Sequence, residues 1–334
     1  MLTQHAFAER AYFNTASPQC QVLARGQHSA TRHLAIYFGK SNPQPGTIAS
    51  DCFIASAAGP RTPAPYRTTP HALRFAANAF ANQANNLFAD YPLFAQHTAQ
   101  QAAQKLQQGS LRSAQDLYWW LARQRRQYQA EKTGTPASQL PHGKPRLTDA
   151  TTPLTPTPEY GKRFEAEIPL FLGWMARHPE QVYTDSQGFR CVTQPYRLVS
   201  TGQLIPLTTV AQRPEDGFCE LRHSPYEPSI VQARQEREWL FEQTMNPQAS
   251  IGQRLHHLSN LVYLDYHLMQ TERGNAAITD IEAAALAQTL GLQWRPDGDA
   301  MDLVAMRSTP NEFEQVFLSK LARLPQALMS PVAV

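Results

Sequence analysis

Three short stretches carry residue types suited to chemistry beside the ends of extended segments. In "PYRTTPHAL", residues 65–73, Tyr66 and Arg67 stand directly before a Thr-Thr-Pro turn. The guanidinium has three readings: a solvated turn residue, half of a buried ion pair, or a hook for an anionic ligand, which its planar, permanently charged donors suit. "YRLVSTG" leads an apolar run into Ser200, Thr201 and Gly202. "PEDGFCELRH" sets Glu220 inside a third short run, after the loop that holds Glu215 and Asp216. Brought together, the three stretches would supply an anion anchor, orienting hydroxyls and a carboxylate. Kept apart, they are ordinary surface residues.

Other groupings are weaker. Cys219 with His223, or Cys52 with His71, has the composition of a thiol nucleophile and its base, without a local signature for either pair. The four cysteines (Cys20, Cys52, Cys191 and Cys219) include no CxxC pair, so the spacing points to no zinc site. His256, His257 and His267 lie in a helical run. Adjacent helical side chains diverge by about 100°, so these read as core or surface histidines. Glu236 and Glu238 in "QEREWLFE" fall on different helix faces and read as solvated charges. Arg123, Arg125 and Arg126 read as an exposed helix end. Motifs of the forms GxxxxGK, GxGxxG, GxSxG and HExxH do not occur, which argues against phosphate-loop, dinucleotide-fold, serine-hydrolase and zincin chemistry.

The elements that must position these residues follow from periodicity. The first 60 residues alternate short apolar runs with turn formers such as Asn42-Pro43 and Gly59-Pro60, a strand-and-loop texture. Helical spacing starts near His71, and further helices are predicted at about 94–107 and after Ser110, the latter with Leu111, Ala114, Leu117 and Leu121 as its stripe. Residues 133–158 hold six prolines and read as a linker or surface loop with no site residue. Helical spacing over 159–178 predicts a helix that Pro169 must bend or split. Next come a hairpin around Asp185–Gly188 and strands in "YRLVSTG", "QLIPLTTV" and "GFCELRH". Beyond Pro228 helices are predicted at about 229–245, 250–272, 279–290 and 310–323, the last opening on a Thr309–Glu312 capping box. Two β blocks separated by helices can complete one sheet system, so the expected class is α+β.

The order Arg67, Ser200–Thr201, Glu220 resembles the arginine, Ser-Thr-Ser and glutamate motifs of the ADP-ribosyltransferase superfamily, on about 25 of 334 residues. Gly202 stands where that family often has a second serine, and Phe218 where arginine-modifying members carry Glu or Gln. The resemblance implies an ADP-ribosyltransferase-like split β-sheet core with inserted helices and a helical C-terminal region. It divides the chain into a catalytic domain at 1–225, with a helical insertion at about 71–130, and a helical region at 226–334. It implies NAD as cosubstrate, with Arg67 and Tyr66 at the diphosphate, Ser200 and Thr201 orienting the nicotinamide ribose, and Glu220 catalytic. Arg197, in a second "PYR" at 195–197, is the rival anchor. Phe218 fits a hydroxyl acceptor, as in the bacterial effector family that ADP-ribosylates ubiquitin on threonine. Two rivals stay open: a cysteine-dependent protease or deamidase, and a non-enzymatic protein whose C-terminal helices bind a partner.

Bulk properties frame these readings. Net charge is +3 from 30 basic and 27 acidic residues, without a basic block, so no nucleic-acid partner is expected. No apolar run is long enough to span a membrane, and the polar leader "MLTQHAFAERAYFNTASPQ" lacks a Sec-type pattern. The expectation is a monomer, without a metal, that a specialised secretion system delivers into a host cell or that otherwise stays in the cytoplasm.

Overall fold

The structure, a computed structural model, describes residues 10–14, 20–25, 33–38, 90–223, 228–295 and 300–323. Tyr66, Arg67, Cys52, His71 and the helix predicted from His71 lie outside the described residues. The chain is α+β. Strands β1 (Arg10–Asn14), β2 (Cys20–Arg25) and β3 (His33–Phe38) form an antiparallel meander. A second sheet joins β4 (Ala150–Pro153), β5 (Tyr183–Thr184), β6 (Arg190–Arg197), β7 (Leu204–Gln212) and β8 (Cys219–His223) in the order β4-β8-β7-β6-β5, antiparallel throughout. The two β blocks therefore form separate sheets among the described residues and do not complete one another, because each satisfies its backbone by local antiparallel pairing. The predicted hairpin is present, with Tyr183 opposite Cys191.

Helices α1 (Tyr91–Gln107) and α2 (Ala114–Thr133) follow the predicted periodicity. Ser113 caps α2 by accepting from the Asp116 amide at 3.0 Å, satisfying one of the orphan donors of the first turn. In α1 the inward stripe is small, Ala95, Ala99, Ala102 and Ala103, and this lets it lie close on α6 (Asn275–Thr289). Pro169 splits the predicted span rather than bending it: a 3-10 turn over Glu165–Glu167 precedes α3 (Ile168–Arg177), and Pro169 sits in the first turn of α3, where its missing N–H has no partner to lose.

The C-terminal helices are α4 (Pro228–Met245), α5 (Ile251–Leu268), α6, α7 (Met301–Met306) and α8 (Pro310–Ser319), with a two-stranded ribbon of β9 (Leu292–Trp294) and β10 (Leu321–Arg323). The Thr309–Glu312 box forms as predicted. Helices α5 and α6 are buried on nearly every face, the mark of central helices. The main core runs from Tyr91 to Leu321 across residue 225 and takes in Tyr196, Leu198 and Ile205 of the β6–β7 hairpin. Inside it, Arg237 pairs with Asp265 at 2.5 Å and Glu282 at 2.8 Å, tying α4, α5 and α6 together. A second core lies between one face of the five-stranded sheet, with Val192, Val210 and Leu221, and Phe171 and Trp174 of α3.

Candidate functional site

The sheet register decides how Ser200 and Glu220 relate. Ser200 and Thr201 occupy the tip of the β6–β7 hairpin, beyond the Arg197–Leu204 pair, whereas Glu220 on β8 faces Ala211 near the far end of β7. Leu204 and Ala211 are seven steps apart on β7, so at about 3.3 Å per residue roughly 20 Å separates the two regions. Strand alternation also sends Glu220 to the sheet face opposite Leu221. The structure does not bring Ser200 and Glu220 into one cleft.

Each has a local partner instead. Ser200 Oγ donates to Glu236 of α4, and the Val199 and Ser200 amides donate to the same carboxylate at 2.5 and 3.2 Å. Thr201 Oγ1 accepts from the Gln203 amide at 3.3 Å, and Arg197 donates to the Gly202 carbonyl at 2.7 Å. Glu236 is thus no solvated charge: at 2% exposed it pins the hairpin tip to α4. Glu238 is corrected likewise, since its two oxygens accept the Ala114 and Gln115 amides at 2.9 and 2.8 Å and cap α2 from a distance. Glu220 accepts from Arg222 Nε at 2.7 Å, and Arg222 also bonds Asp185 and covers the Phe189 ring at 4.4 Å.

The thiol reading meets a similar obstacle. Cys219 is fully buried, and burial pushes its thiol up to about 12. His223 is four steps along the same strand, roughly 13 Å away. It is held to Thr208 Oγ1 at 3.1 Å, and burial holds it down to about 3. The pair cannot pass a proton. No group of three or more His, Cys, Asp and Glu able to hold a metal occurs among the described residues.

Functional geometry converges elsewhere, on a cavity of about 330 Å³ walled by α2, residues 142–152, the turn at 160–164, the loop 269–275, the start of α6, and α7. Four arginines line it, Arg125, Arg146, Arg163 and Arg273, against two carboxylates, Glu272 and Asp302. Helix α6 opens onto it at Asn275, Ala276 and Ala277 with Gly274 as N-cap, no capping side chain and no acid in its first turn. A 15-residue helix begun this way turns amides that no side chain among the described residues caps, and partial positive charge, toward the cavity. Gly274 has φ 84°, a conformation that glycine adopts without steric cost.

The scaffold of this cleft comes from the stretch read as a linker. Residues 142–146 pair with 270–273: the Gly143 amide donates to the Arg273 carbonyl at 3.0 Å, the Glu272 amide to Lys144 at 2.8 Å, and the Arg146 amide to Gln270 at 3.0 Å. Arg146 donates to the carbonyls of Leu268, Met269, Thr148 and His223. It thereby closes the C-terminus of α5 with a cation and adds charge to the cleft. Arg125, predicted exposed, is 1% exposed; it donates to Gln129 at 3.0 Å and stands 5.3 Å from the Tyr91 ring. His142 is held down to about 3 by burial and by Arg125 and Arg273, so it is neutral. Arg273 reaches Glu159 at 2.6 Å at the surface, with 52% of its side chain exposed.

Sequence reasoning missed Arg146, Arg163, Arg273 and Asp302. The one local signal was "TERGNAA", where Arg-Gly-Asn precedes a helical run without a Ser, Thr or Asp at the cap. No protein-family model matches the chain, and no curated protein matches it significantly.

Proposed function

We propose that the chain is a ligand-binding protein whose cleft takes an anionic small molecule, a phosphate or carboxylate compound. The observation that carries the reading is the meeting of four arginines and an uncapped helix start on one cavity. Guanidinium groups and helix amides both favour oxyanions, and the volume suits a small-molecule site. Tyr160, Phe164, Leu221 and Leu303 supply apolar wall for the rest of the ligand. Arg273→Ala is expected to weaken binding of pyrophosphate and of ADP-ribose about tenfold or more in calorimetry, because it removes a cation at the mouth while the buried scaffold stays. Unchanged affinity for both would overturn the reading.

The narrower form of the proposal is transfer of ADP-ribose from NAD to a host protein, with ubiquitin as acceptor. NAD offers a diphosphate and two rings to a cationic cleft with aromatic walls. A split-sheet transferase core is part of this narrower proposal, and Arg67 and Tyr66 enter it from outside the described residues. Incubation with labelled NAD and ubiquitin separates the cases. Label lost with Arg273→Ala places transfer at this cleft. Label lost with Glu220→Ala but kept with Arg273→Ala moves it to the outer sheet face, and no label leaves binding without transfer.

A further inference from the structure

We infer that the ligand of this cleft is dipolar: its anionic group lies at the start of α6 beside Arg273, and it carries an ammonium that Asp302 accepts. The inference rests on the anion reading of the cleft and adds a second group to the ligand. Asp302 enters the same cavity from α7 and is 5% exposed. Among the described residues no hydrogen bond reaches its Oδ1. A buried carboxylate oxygen without a donor destabilises the fold, so a donor brought by the ligand finds a site already desolvated.

Among the described residues that line the cleft, the neighbouring groups leave that role to Asp302. Glu272, the other carboxylate of the wall, is engaged by Lys144 at 3.1 Å. Asp280 lies within electrostatic reach of Asp302 but already receives the Tyr266 hydroxyl at 2.6 Å. Glu167 also faces Asp302 and stands 3.8 Å from Arg307. Arg163 lies near Asp302 and covers the Phe164 ring at 4.8 Å. The cleft thus combines an anion-favouring helix start with a lining carboxylate whose Oδ1 is buried without a partner among the described residues, and a molecule bearing only negative charge matches the first and is repelled by the second. A phosphorylated or carboxylated primary amine matches both.

Two probes of equal size test this on the full chain by calorimetry: phosphoethanolamine and propyl phosphate share a phosphate and differ by ammonium against methyl. Wild type is expected to prefer phosphoethanolamine by about tenfold, with the preference growing as pH rises through 7, since burial holds Asp302 up to about 7 and only its ionised form attracts the ammonium. Asp302→Asn is expected to abolish the preference while propyl phosphate still binds. Equal affinities in wild type, or a preference that survives Asp302→Asn, would sink the dipolar ligand and leave the anion cleft standing. Failure of both probes to bind overturns the anion reading itself. The wild-type comparison needs no variant, so a misfolded variant cannot blur the result.

Discussion

At the scale of single residues, a side chain's type names the chemistry it is capable of, and its partner decides which chemistry it performs. Ser200 has the hydroxyl of an orienting residue, yet that hydroxyl and two amides are spent on Glu236. Glu236→Ala is expected to destabilise the fold by about 1–3 kcal/mol in urea denaturation, since it strips the acceptor from the hairpin-tip donors. Ser200→Ala should cost less, because the amides keep their carboxylate. Neither change should alter pyrophosphate affinity, since the hairpin tip does not line the cleft. Of these contacts the sequence shows only one half: a strand-end serine is visible in "RLVSTG", but its partner is 36 residues away on a helix.

Elements show the same division between local and non-local information. Helices were legible wherever one side packs on a core, as in the Leu117–Leu121 stripe and the Thr309–Glu312 cap, because their signals lie within a turn or two. Residues 133–158 were illegible because their prolines argue against regular structure, while the strand they form and the ribbon they make with 270–273 depend on partners far along the chain. Gly143 measures how closely that ribbon is set against α2. A Cβ there would lie 2.2 Å from the Ala122 carbonyl oxygen, on a backbone at φ +66°. Gly143→Ala must move main chain and is expected to cost more than about 2 kcal/mol in thermal or urea unfolding. Gly109 has a similar φ of +70° with nothing within 4 Å, so Gly109→Ala should cost only about 1 kcal/mol. Equal losses at the two positions would mean that the 142–146 segment does not lie against α2 as described.

For the whole molecule, burial of ionisable groups sets a pH optimum for stability. Burial holds Asp280 up to about 8 and Asp302 up to about 7, so in the fold both keep protons at pH values where an unfolded chain, with carboxyls near 4, has released them. Their contribution to stability is complete below about pH 4 and is lost as pH rises through 7 and 8. Burial works in the other direction on His142, His223 and His267, held down to about 3, and on His257, held down to about 4. These stay neutral in the fold while the unfolded chain takes up protons below about 6.5, so they cost stability as pH falls below that value. The two sets oppose each other between about pH 4 and 7, and above about pH 7 the acids prevail. Unfolding free energy should therefore peak between about pH 6.5 and 7 and fall by on the order of 1 kcal/mol by pH 8. Asp280→Asn keeps an oxygen to accept the Tyr266 hydroxyl, which lies 2.6 Å from the carboxylate, and removes the titration. Combined with Asp302→Asn it should flatten the alkaline arm in urea titrations at pH 6.5, 7.25 and 8. An unchanged slope in the double variant would show that these carboxyls are already ionised in the fold. That outcome would mean that Arg163 near Asp302 and the Tyr266 hydroxyl on Asp280 offset the cost of burying the two charges, so that the fold keeps both carboxylates ionised.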